Sequence, residues 1–144
     1  MKRLLAVALA PLAVSLALAS LAVGCGAEQT DDSADRFQGA EREVADQVEE
    51  LQSAGEGNQA EDICSNILSR QLVDELEAAG ADCAQEMEKA IEDSDEFDFV
   101  VRDVTVSGSQ AEAVVRQGDD GPQTTMQFVR EGGQWRATSL NADS

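Results

Sequence analysis

The chain is 144 residues long and carries 29 Asp and Glu against 10 Lys and Arg, a net charge of −19. So negative a surface repels phosphate backbones and anionic headgroups, which excludes nucleic acid as a partner and direct adsorption to a membrane surface. The absence of His and Tyr removes the imidazole base and the phenolic oxyanion donor from any catalytic scheme.

At the N-terminus, Lys2 and Arg3 precede an apolar stretch from Leu4 to Leu21 that only Pro11, Ser15 and Ser20 interrupt, and Leu21-Ala22-Val23-Gly24-Cys25 closes it. A cationic start, an apolar run and a small residue before a cysteine form a signal peptide with a lipobox, and the segment resembles that of bacterial lipoproteins, with Ala22 standing where the family more often has Leu. The resemblance implies that residues 1–24 are removed and that Cys25 becomes the acylated first residue of an extracytoplasmic protein of the cell envelope. The alternatives are an uncleaved N-terminal membrane helix and ordinary secretion with Cys25 free. Removing residues 1–24 takes away Lys2 and Arg3 and no acid, moving the net charge from −19 to −21. A lipid anchor then holds the protein at the membrane without a basic patch.

Residues 25–36 are polar and acidic with no apolar periodicity, which predicts a disordered tether. A single domain over 37–144 follows, too short to hold two cores. Phe37, Ala40, Val44, Val48 and Leu51 recur at helical spacing and predict an amphipathic first helix that Gly55 and Gly57 interrupt. Asn58 is placed to cap a second helix carrying Ile63, Ile67 and Leu68, and Leu72, Val73, Leu76 and Ala79 continue the helical pattern to a stop at Gly80. Asp82 is placed to cap a further helix with Cys83, Met87, Ala90 and Ile91 on one stripe.

Cys64 and Cys83 are the two thiols left once Cys25 is lipidated, and export places them in an oxidising compartment, so they are expected to form a disulfide. With no His in the chain, a zinc set lacks its usual ligands and a nucleophilic cysteine lacks its base. No metal or cofactor is expected.

After Glu96 the pattern changes to period two. Phe97, Phe99 and Val101 alternate in one parity and Val104 and Val106 in the other, which predicts a strand with a bulge near Arg102 and Asp103. Ser107-Gly108-Ser109, the turn over 118–122 and Gly132-Gly133 then separate strands over 111–117, 124–130 and 134–140. Helices followed by a meander define an α+β fold, with N-terminal helices packed on one face of a curved, mainly antiparallel four-stranded sheet.

The first helix, the Cys-bearing second helix ending in Ile67-Leu68-Ser69, the later cysteine and the closing run from Phe128 to Arg136 resemble the cone-shaped, cystatin-like superfamily of nuclear transport factor-like proteins. That resemblance implies a pocket between helices and sheet, for which Phe97, Phe99, Met126, Phe128 and Trp135 are the candidate apolar wall. Trp135 suits a pocket wall or an interface anchor, with the core as its ordinary reading. Enzymatic members of the superfamily, the ketosteroid isomerase-like and dehydratase-like proteins, place Asp, His or Tyr in that pocket. Here only carboxylates remain, with Asp98 and Asp103 as candidates and solvent-facing strand positions as their ordinary reading. Asp93 and Asp95 in the run from Glu92 to Glu96 alternate like cation ligands, but Phe97 and Asp98 break the calcium-loop pattern, leaving an acidic helix-to-strand linker. Two functional classes follow: a non-catalytic lipoprotein module that binds an envelope protein or a small apolar ligand, and a small carboxylate-dependent enzyme.

Overall fold

The computed structural model of the chain describes residues 33–94, 97–118 and 120–142, with side chains as far as Leu140. The signal segment and Cys25 lie outside the described residues. Four helices, α1 (Ala40–Glu56), α2 (Ala60–Asp62), α3 (Arg70–Ala78) and α4 (Cys83–Glu92), precede four strands, β1 (Phe99–Ser107), β2 (Gln110–Gln117), β3 (Gln123–Glu131) and β4 (Gln134–Ala142). The strands pair antiparallel in sequence order, so the domain is α+β.

Strand alternation puts Val101, Val104, Ala111, Ala113, Val115, Met126, Phe128, Trp135 and Ala137 on one buried side, where they meet Val44, Ala45, Val48 and Leu51 of α1 in a common core. The parity change in β1 arises as expected: the pairing shifts between Val101 and Asp103, leaving Arg102 as the extra residue, so Val101 and Val104 both face inward. A second irregularity in β4 opposes Gln127–Phe128 with Ser139 and Ala137. It turns Leu140 inward after Trp135 and Ala137.

Segment 33–36, expected to belong to the disordered tether, is a 3₁₀ turn packed on the domain. Ser33 is 6% exposed and Ala34 fully buried. The turn satisfies the outer edge of β1, where Val101 N–H donates to Ser33 Oγ at 3.2 Å and Arg36 donates to the Val101 carbonyl. On the same strand, Phe99 N–H donates to Gln52 Oε1 at 2.9 Å. These side chains occupy backbone groups that would otherwise present an open sheet edge.

The first helix begins at Ala40, after Gly39 in a left-handed conformation with φ 60°, and leaves Phe37 outside it but packed on the core. Gly55 does not interrupt α1: it is buried inside it, and a Cβ there would overlap the Phe97 ring. Glycine at 55 therefore serves close approach, not helix termination. Asn58 does not cap α2 either. The N-cap is Gln59, and Asn58 takes up the reversal after α1 with φ 52°, a conformation Asn tolerates better than most residues.

The helical pattern expected to run unbroken to Gly80 is cut at Ser69. After α2 the chain widens into a π-helical turn, Ile63–Ile67, then extends through Leu68 and Ser69. Leu68 bridges Ala137 of β4 in parallel, and Ser69 N–H donates to the Ala137 carbonyl at 2.8 Å. Ser69 Oγ then accepts from Leu72 N–H at 3.2 Å and starts α3. Asp82 does cap α4, its carboxylate accepting from Gln85 N–H at 3.0 Å. A Cys64–Cys83 disulfide, with Cα atoms 6.1 Å apart, ties the π-helical turn to the first residue of α4.

Candidate functional site

Beneath α4 lies a cavity of about 290 Å³. The helix supplies Met87, Ala90 and Ile91 to its wall, α1 supplies Leu51, and the π-helical turn supplies Ile63. The sheet closes it from the other side with Phe99, Gln117, Thr124, Met126 and Leu140, while Phe97, Ser94 and Pro122 complete the rim. Each position follows from a local rule already described. The i, i+4 stripe of α4 aims Met87 and Ile91 the same way, strand alternation carries Thr124 and Met126 inward, and the β4 irregularity adds Leu140. Phe97 and Phe99 meet edge to face, with ring centroids 6.0 Å apart and planes at 86°.

Of the five aromatic and thioether side chains expected along the pocket, Phe97, Phe99 and Met126 line this cavity. Phe128 and Trp135 do not. The inward residues of β3 run from Thr124 and Met126 at the cavity to Phe128 in the solid core, where Phe128 and Trp135 are each 2% exposed. Trp135 sits at the far end of the sheet, against α1. Its indole N–H donates to Glu43 Oε2 at 3.2 Å, and the Arg130 guanidinium lies 5.5 Å from the ring centroid and 3.3 Å from the same carboxylate.

Among the described residues, none that lines the cavity carries an ionisable side chain. The acids singled out in the sequence lie elsewhere. Asp98 and Asp103 are exposed on either side of the bulge, and Asp98 engages the fold through its backbone carbonyl, which accepts from Gly118 N–H at 2.7 Å. Asp93 is exposed at the C-cap of α4, and Asp95 and Glu96 lie outside the described residues. No group of three or more metal-type ligands occurs among the described residues, and no helix among them is long and apolar enough to cross a membrane.

Other surface clefts differ in kind. One between α2 and α4 is polar, lined by Asn58, Gln59, Glu61, Asp62, Ser65 and Glu88 with Ala60. Another beside the disulfide is lined by Arg70, Glu131 and Arg136. The cavity under α4 differs from these in its mostly apolar wall with few polar groups, the composition expected of a small-molecule site. Comparison with known proteins returns no matching family model, curated protein or solved structure.

Proposed function

We propose that this chain is a lipid-anchored extracytoplasmic lipoprotein of the bacterial envelope whose α+β domain is a non-catalytic binding module for a small apolar ligand. The cavity under α4 carries the binding part of this reading: it has the wall chemistry of a ligand site and lies just below the usual size range for one. Helices leading into a four-stranded meander, with a cavity between the layers, also support the nuclear transport factor-like cone. The non-catalytic part is supported by the wall's composition. Isomerase-like chemistry in such a cone needs a proton-transferring group inside it, and among the described residues no carboxylate lines this one.

The anchoring part rests on Lys2, Arg3, the apolar run and Gly24-Cys25. Intact-mass analysis of the envelope fraction tests it: the expected species begins at an acylated Cys25, and a Cys25→Ser protein that is still cleaved and acylated overturns it. For the cavity, the probe is the uncharged dye N-phenyl-1-naphthylamine, added to the mature chain carrying Cys25→Ser behind a cleavable secretory signal. Omitting the lipid avoids detergent, which would compete for an apolar site. Saturable binding of one dye per chain is expected, weakened about tenfold or more by Ala90→Trp, which fills the cavity from an exposed position on α4. Equal binding to both proteins overturns the cavity as the site.

A further inference from the structure

We infer that the cavity under α4 selects uncharged ligands with a single hydrogen-bonding head and rejects ionised amphiphiles of either sign, an inference that rests on the binding reading above. Among the described residues, the wall holds neither an acid nor a base. A ligand carboxylate or ammonium drawn into it would lose its water and meet no counter-charge, and an unpaired buried charge is among the costliest arrangements in a protein.

Four positive side chains are engaged away from the cavity. Arg36 is on the Val101 carbonyl, Arg130 on Glu43 and Trp135, Arg136 on the Ser65 carbonyl, and Lys89 on Glu86. The negative field of the whole chain adds to the rejection of anions. Cations are attracted to the outer surface by that field, but the described residues of the wall give them no carboxylate to pair with. What the wall does hold is three neutral polar side chains, Ser94, Gln117 and Thr124, among aliphatic, thioether and phenyl groups. Each takes part in an interaction within the fold. Each also has more than one donor or acceptor position, so a hydroxyl, carbonyl or amide on the ligand can share them.

Three probes of one chain length separate these classes: 1-decanol, decanoate and decylammonium, each below its aggregation threshold at pH 7.5, where the acid is ionised and the amine protonated. Each displaces N-phenyl-1-naphthylamine from the mature Cys25→Ser chain in 0.5 M NaCl, where a Debye length of roughly 4 Å suppresses attraction to the outer surface. Decanol is expected to displace the dye at concentrations about tenfold or more below those of either ion. Gln117→Lys places a cation in the wall and is expected to improve decanoate about tenfold relative to decanol. Decanoate or decylammonium matching decanol on the native wall overturns the inference while leaving the binding site standing. Dye binding that Ala90→Trp leaves unchanged removes the site itself, and the inference with it.

Discussion

At the scale of single residues, Trp135 shows how little of a contact's value lies in its charges. It is 2% exposed and packed in the core, while the Glu43 and Arg130 side chains it touches are 51% and 40% exposed. Solvent screens that ion pair, which is worth on the order of 0.5 kcal/mol or less. The ring's burial and packing are worth several times as much. Trp135→Ala should therefore cost about 3–5 kcal/mol of unfolding free energy, and Glu43→Gln about 0.5 kcal/mol or less, by urea denaturation of the mature chain. Comparable losses for the two would show that the polar contact, and not the packing, holds the ring. The sequence marked Trp135 as core or pocket wall, and could not decide between them because both demand an inward aromatic; its place along the sheet depends on the β3–β4 register. Ser69 escaped notice for a different reason. Ile63, Ile67 and Leu68 lead into Leu72, Val73 and Leu76 at near-helical spacing, which hides a serine that caps a new helix and bonds to a strand distant in sequence.

At the scale of elements, the helices divide into two kinds. Six residues of α1 are buried, whereas none of α3 is, and α4 buries only Cys83. Packing, with the bonds from Gln52 and Glu43 to the sheet, therefore holds α1, while α3 and α4 depend on the Cys64–Cys83 link for much of their attachment. A crosslink spanning 19 residues is worth about 3 kcal/mol in the loop-entropy description. A Cys64→Ala, Cys83→Ala protein should lose about that much stability, and amide exchange should accelerate most in α3 and α4, with α1 and the sheet losing the least protection. Uniform acceleration across the domain would refute the division. Cysteine arithmetic and the expectation of export made this link legible, as hydrophobic parity made the β1 bulge legible. The β4 irregularity was not, since Thr138-Ser139 carries no apolar residue whose parity could reveal it, and so Leu140 could not be placed in the cavity. The docking of residues 33–36 was hidden too: its stabilising bonds go to the edge of β1, and composition alone reports only an acidic, polar segment.

At the scale of the whole molecule, the dominant fact is charge without compensation. The acids crowd the helical layer: α1 carries Glu41, Glu43, Asp46, Glu49, Glu50 and Glu56, and α4 with its caps carries Asp82, Glu86, Glu88, Glu92 and Asp93. The ion pairs that oppose this, Arg42 with Asp35 and Asp46, Arg130 with Glu43 and Lys89 with Glu86, lie on exposed side chains and contribute little each. Folding brings the acids closer together than the unfolded chain does, so self-repulsion works against the compact state. Salt has two opposing effects here: it weakens the few surface pairs and screens the many like-charge repulsions. With a net charge of −19 over the chain, and −21 under the proposed removal of residues 1–24, repulsion wins. Raising NaCl from 10 mM to 0.5 M shortens the Debye length from about 30 Å to roughly 4 Å and should stabilise the mature domain by on the order of 1 kcal/mol, raising its melting temperature by about 4–8 °C. The gain should be matched at equal ionic strength by KCl, since screening depends on ion charge and concentration and not on the cation bound. A melting temperature that falls with salt would show that the surface pairs outweigh the repulsion, and a rise confined to divalent salts would indicate specific cation binding in place of screening.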